Sequence, residues 1–319
     1  MRNRYRDILP YDCNRVQLSS TDDNPSGYIN ASFIKLPKGR TEFIAAQAPL
    51  TTTLEEWWKM VDEQHVVLIV MLCKLVEMSK VKCERYWPSE VGKSLIFGCY
   101  EITLESEERF TDDDYLMRQL KMNNQKTGET RVISQLHYRE WPDHGCPSGE
   151  TQLLNMIRKM AELNENSTAP VLVHCSAGVG RTGTIISVNY IREMIESEEL
   201  QSLDLFQLVM NLRRQRASMV QTQDQYQFVH KCVAHYCRER LGIPHPQPED
   251  DSIEEFAPSP PPTMASAFVT SHSENGCPSL QDDDIEIDSD EEFEGNDVPD
   301  FPNEPPAPLG PEQLGSAAS

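Results

Sequence analysis

His174 and Cys175 stand side by side in the stretch VLVHCSAGVGRTGT, five residues separate the cysteine from Arg181, and Gly178, Gly180 and Gly183 lie in or just beyond that interval. A glycine-rich turn that leaves a strand and enters a helix points successive backbone N–H groups inward, forming a nest for an anion. The positive end of the helix dipole adds to it. A thiol in such a field ionises readily, because the donors that would hold a phosphate also hold a thiolate. Arg181 contributes a planar fork matched to two phosphate oxygens, which a lysine could not supply. The plain alternative is a buried structural cysteine beside an ordinary glycine turn. His, Cys, Arg and three glycines in this register favour chemistry over that alternative.

Other residues could complete a phosphoryl transfer. Expelling the leaving oxygen benefits from a general acid held beside it. Asp143, in the turn-rich stretch REWPDHGCP, offers a carboxyl group on a segment able to close over a substrate. Gln221 and Gln225 lie in MVQTQDQYQFV, and Tyr5 and Asp7 in NRYRDILPYD. Taken singly these have duller explanations: a solvated turn aspartate, the polar surface of a helix start, a frayed chain end.

The motifs together remove that ambiguity. VHCSAGVGRTG resembles the signature loop of the protein tyrosine phosphatases, HCxxGxxR[ST]G, at every position. WPDHG is similar to that family's mobile acid loop, QTQDQY to its glutamine loop, NRYRD to its phosphotyrosine loop and KCERYWP to a supporting strand. GYINASFI and FIAAQAPL resemble core motifs that pack and bond the backbone. The resemblance covers residues 3 to about 240 and points to the phosphotyrosine-specific members with a single catalytic domain. It implies Cys175 as nucleophile, Arg181 as phosphate clamp, and the loop from Ser176 through Ala177, Gly178, Val179 and Gly180 as the phosphate cradle. Thr182 would hydrogen-bond the sulfur as it leaves, and His174 would help to set the thiolate. Asp143 would be acid and then base. Gln221 would orient the hydrolytic water with Gln225 assisting, Tyr5 would stack on the substrate ring, and Asp7 would bind the substrate backbone. Glu77 would brace Arg181, and Lys82 would contact the acid loop. No cofactor and no metal are implied; the partners are phosphotyrosine-containing proteins.

Two rival functions follow from the same residues. A catalytically dead phosphotyrosine-binding module would lack Cys, Arg or acid, whereas Cys175, Arg181, Asp143 and Gln221 are all in the chain. A lipid or dual-specificity phosphatase would lack the Tyr5 segment, which gives the pocket depth. The family also has helices before the phosphotyrosine loop that are missing here, and commonly Thr and Gly where Ala46 and Ala48 stand. If Ala48 takes a positive φ, strain of about 1–2 kcal/mol follows.

Elements must carry these residues. The spacing predicts helices over 53–64, 151–165, 182–197, 203–215 and 223–240, buried strands over 66–73 and 169–175, and alternating half-buried strands over 95–105 and 131–141. Intermixed strands and helices predict an α/β (α+β) domain with a central sheet; the resemblance makes it a highly twisted mixed sheet flanked by helices, spanning residues 1–244. Beyond it the composition changes. Of the 51 acidic residues, 19 fall in 245–319 with no Lys or Arg, so this segment carries most of the net charge of −22. Thirteen prolines there leave little to bury, which predicts a disordered tail. Its PSPPP run could fit an SH3 or WW domain, and Ser289, followed by DEE, could fit an acidophilic kinase, but a solvating acidic spacer is the favoured reading of the tail. The folded part is near neutral, so nothing points to nucleic acid. Nine scattered cysteines show no disulfide framework and no Cys/His spacing suited to zinc. With no signal peptide and no apolar run long enough for a membrane span, the reading is cytoplasmic.

Overall fold

The computed structural model describes residues 2–110, 114–142, 145–198 and 202–244. Asp143 and the tail 245–319, with its expected disorder, proline-rich ligand and Ser289, lie outside the described residues.

In chain order the elements are β1 (Arg15–Gln17), β2 (Tyr28–Ile34), β3 (Phe43–Ala46), α1 (Leu54–Glu63), β4 (Leu68–Met71), β5 (Val76–Glu77), β6 (Lys80–Val81), β7 (Ser94–Phe97), β8 (Tyr100–Phe110), β9 (Tyr115–Asn124) and β10 (Thr130–Tyr138). Then come α2 (Thr151–Asn164), β11 (Val171–His174), α3 (Gly180–Glu196), α4 (Leu205–Gln215) and α5 (Gln223–Leu241). Among the described residues nine strands form one sheet in the order β1-β2-β3-β11-β4-β10-β9-β8-β7, and β5 pairs with β6. The centre, β3, β11, β4 and β10, runs parallel, and both wings are antiparallel.

The central strands are short apolar runs because both faces are covered. LIVM of β4 and VLVH of β11 are buried at every residue. Successive side chains still alternate between two cores. Leu68, Val70, Val171, Val173 and Cys175 join the side packed by α2 to α5. Ile69, Met71, Cys73 and Leu172 join the side packed by Trp57 and Trp58 of α1. This parity decides the surroundings of His174 and Cys175, which must face opposite layers. No helix of the described residues is long and apolar enough to cross a membrane.

The alternating run over 95–105 is not one strand. Gly98 takes φ +60°, so the chain turns between Phe97 and Tyr100, which pair across a hairpin. A glycine at positive φ in a two-residue turn matches the right-handed twist of the strands it joins, and this local geometry overrides the continuous alternation.

Candidate active site

β11 ends at His174, and the chain rejoins helical structure at Gly180, so the loop 175–179 sits where parallel strands end and α3 begins. Gly178 holds φ +74°, and a Cβ there would lie 2.1 Å from the Ala46 carbonyl oxygen. Only glycine lets the loop press so close to β3. α3 has no side-chain cap, and the first N–H groups of any helix lack intrahelical partners, so they are available to an anion in the loop.

Cys175 is 5% exposed. Its Sγ accepts from the Gly178 N–H at 3.2 Å and from the Thr182 hydroxyl at 3.4 Å. Ser176 ties the loop to two neighbours: its hydroxyl donates to the Lys82 carbonyl at 3.1 Å and accepts from the Tyr5 hydroxyl at 2.7 Å. That bond stands Tyr5 beside the cradle although it lies close to the chain start. Ala48 donates its N–H to the Ser176 carbonyl at 3.0 Å. Ala48 is not among the residues with positive φ, so the strain conditional on that conformation does not arise.

Arg181, on the first turn of α3, forms a bidentate pair with Glu77, with Nη1–Oε1 at 2.7 Å and Nη2–Oε2 at 3.0 Å. It also donates to the carbonyls of Leu72 at 3.0 Å and Pro142 at 3.3 Å, and its guanidinium carbon lies 5.9 Å from the Trp141 ring centre. Burial works against its charge, but the bonds and charge of Glu77 outweigh burial and raise its pKa. The residues just before Asp143 therefore touch the fork that would hold phosphate.

His174 does not bond the sulfur. Its Nδ1 lies 3.2 Å from the Cys175 carbonyl oxygen and its Nε2 2.9 Å from the Tyr86 hydroxyl. Gln135 donates to that hydroxyl at 2.7 Å, so the proton of Tyr86 goes to Nε2 and Nδ1–H goes to Cys175; the tautomer follows from the network. Burial pushes the pKa of His174 down to about 4. A neutral imidazole thus steers the backbone at the loop entrance. The sequence shows the histidine but not the parity that turns it away from the thiol.

The glutamines divide. Gln225 is buried and closes a capping box with Thr222 at the start of α5, its Oε1 accepting from the Gln221 N–H at 2.9 Å. It also backs Gly180, where a Cβ would meet its amide at 2.8 Å. Gln225 therefore supports the loop from behind. Gln221 is exposed on the turn beside it, and Asp7 is exposed beyond Tyr5. Lys82 joins the site through its backbone carbonyl.

One further residue organises the cradle. Arg216 is fully buried and donates to the carbonyls of Gly178 at 2.9 Å and Ala177 at 3.0 Å, to Ser32 Oγ at 3.1 Å and to Asn30 Oδ1 at 2.8 Å. Drawing two loop carbonyls outward turns the adjoining N–H groups inward. Burial lowers its pKa to about 10, opposed by the charges of Cys175 and Tyr28, so it stays protonated at neutral pH. In sequence it is one of three arginines in NLRRQRAS, and nothing local separates it from its surface neighbours.

The family model of protein-tyrosine phosphatase matches residues 1–235. The chain belongs to the protein-tyrosine phosphatase family. It is 40% identical over 244 residues to the human tyrosine-protein phosphatase non-receptor type 12, covering 76% of this chain and 31% of that protein. The match to the human non-receptor type 18 enzyme is 40% over 235 residues, 73% of this chain and 50% of that one. That to the human receptor-type tyrosine-protein phosphatase C is 39% over 237 residues, 74% and 18% respectively. The chain thus spans half or less of the length of these relatives. Receptor and non-receptor phosphatases match it about equally, as expected when the shared part is the phosphatase domain.

Proposed function

We propose that this phosphatase domain, residues 1–244, hydrolyses phosphotyrosine in proteins through a phosphocysteine intermediate and acts in tyrosine-phosphorylation signalling. The carrying observation is the sulfur of Cys175, held by the Gly178 N–H and the Thr182 hydroxyl, in a loop that leads into an arginine locked on Glu77. In the first step Sγ attacks phosphorus, the P–O bond to tyrosine breaks, and Asp143 gives its proton to the leaving phenolate. In the second, a water oriented by Gln221 attacks the phosphocysteine and loses its proton to Asp143. The Cys175 thiolate leaves, stabilised by Thr182. Arg181 and the loop N–H groups hold the phosphoryl oxygens throughout, donors aimed at developing charge.

Tyr5 supports selectivity for phosphotyrosine over phosphothreonine. Its ring stands beside the loop through Ser176, and a substrate must be long enough to reach the cradle past it. Asp7 would bind the substrate backbone at the rim, Lys82 would steady the acid loop, and the PSPPP run of the tail would dock SH3 or WW domains.

The test is turnover of phosphotyrosyl and phosphothreonyl peptides by the full chain. Only the first should be hydrolysed efficiently. Cys175→Ser should abolish turnover while peptide binding persists by calorimetry. Asp143→Ala should slow turnover by roughly 10²–10⁴-fold and retain substrate. No turnover by folded wild-type protein would leave a binding module; equal turnover of phosphothreonine would refute the Tyr5 assignment.

A further inference from the structure

Behind the catalytic loop, on the opposite face of the sheet, Cys73, Cys83 and His174 come together. One ligand atom of each lies within 4.8 Å of the others, and all three side chains are buried. Cys73 follows β4 and His174 ends the adjacent parallel strand β11, whose register pairs His174 with Met71. The Leu72 N–H bonds the His174 carbonyl at 2.9 Å. Cys83 arrives from a third direction, just beyond the β5–β6 hairpin. The sequence shows no motif because strand pairing and the hairpin, not a local turn, make the cluster.

We propose that Cys73, Cys83 and His174 form a binding site for Zn²⁺, separate from the phosphate cradle. Two thiolates and an imidazole are the donor set of soft and borderline cations. Zinc with bonds of about 2.3 Å to sulfur and about 2.0–2.1 Å to nitrogen places its ligands roughly 3.5–3.8 Å apart. The present atoms need close by only about 1 Å to meet that geometry. The chemistry balances: Zn²⁺ enters, each cysteine releases one proton, the imidazole gives a lone pair, and the site gains no net charge. That neutrality suits a place with no carboxylate among its three ligands. The hairpin residues Lys80 and Val81 are exposed, so local opening at Cys83 gives the ion a path.

Occupancy would reach the active site through His174. Both ring nitrogens are engaged, one with Tyr86 and one with the Cys175 carbonyl. A metal on either displaces one contact and loosens the entrance to the loop.

The experiment uses the full chain carrying Cys175→Ser, which removes the thiol proposed as nucleophile as a competing ligand, and Cd²⁺ as a spectroscopic probe. The expected result is one tight Cd²⁺ per chain with a thiolate-to-metal charge-transfer band, competed by Zn²⁺. Adding Cys73→Ala or Cys83→Ala should weaken the affinity at least ten-fold, whereas Cys99→Ala should not. Should either alanine variant fail to fold, alkylation of the Cys175→Ser protein replaces it: Zn²⁺ should protect Cys73 and Cys83 from iodoacetamide, read by mass spectrometry. An unchanged charge-transfer band in the alanine variants, or no protection of these two thiols, overturns the proposal. None of these readouts depends on turnover.

Discussion

Arg181 and Arg216 answer opposite physical demands with the same side chain. Arg181 is held by a carboxylate and two backbone carbonyls, so its guanidinium is fixed in place before a ligand arrives. Arg216 is buried among carbonyl, hydroxyl and amide oxygens, and its positive charge lies under the loop carrying Cys175. Removing it would orphan two loop carbonyls. Arg216→Met should therefore cost about 3 kcal/mol of stability and lower kcat/KM on the order of 100-fold. Arg216→Lys, keeping the charge but not the fork, should recover stability better than turnover. Urea unfolding and vanadate affinity measured together separate the two effects. Wild-type vanadate affinity in Arg216→Met would show that the cradle keeps its shape without this residue.

At the scale of elements, the loop is shaped by close backbone approaches that admit no side chain. Gly183 sits inside α3, where alanine would normally gain about 1 kcal/mol of helix propensity. Here a Cβ would lie 2.5 Å from the Val220 backbone nitrogen. The turn it meets leads directly to Gln221, and Val220 itself takes φ +55°. Gly183→Ala should therefore destabilise the domain instead of stabilising it, and should slow the second chemical step more than the first. Burst kinetics with an aryl phosphate read this as a larger burst with a slower steady state. A raised urea midpoint with unchanged steady state would show that α3 and this turn can separate freely. Gln225 works at the same scale, joining the start of α5 to the start of α3.

Across the whole molecule, a buried polar chain links the β9–β10 wing to the catalytic loop. Arg118 donates to Gln135 at 2.7 Å and lies 3.2 Å from His137 Nδ1, Gln135 reaches Tyr86, and Tyr86 reaches His174. Burial first, and the charge of Arg118 second, push His137 from 6.5 down to about 3. Burial likewise pushes His174 from 6.5 down to about 4. Between pH 6.5 and those values the unfolded chain binds more protons than the folded one, so stability falls as pH falls. From pH 7 to pH 5 each histidine should remove about 2 kcal/mol. Urea midpoints at the two pH values measure the loss, and His137→Gln should halve it. An unchanged midpoint at pH 5 would mean that these imidazoles protonate in place.

Much of the domain was legible in the sequence. The helix of α3, the buried runs of β4 and β11, and the Cys175, Arg181 and Thr182 constellation follow from local composition and contiguous motifs, because a helix stripe, a buried strand and a glycine turn are specified by neighbours in the chain. The break at Gly98 was also written locally, in one glycine, but hidden by the alternation on either side. What tertiary structure alone decided depends on residues far apart in sequence. Strand parity sends His174 away from the thiol of Cys175, the closure of α4 against β2 buries Arg216 under the loop, and the pairing of β4 with β11 beside the β5–β6 hairpin gathers Cys73, Cys83 and His174. Each is a consequence of packing, where the identity of a residue matters less than which distant backbone it is brought to face.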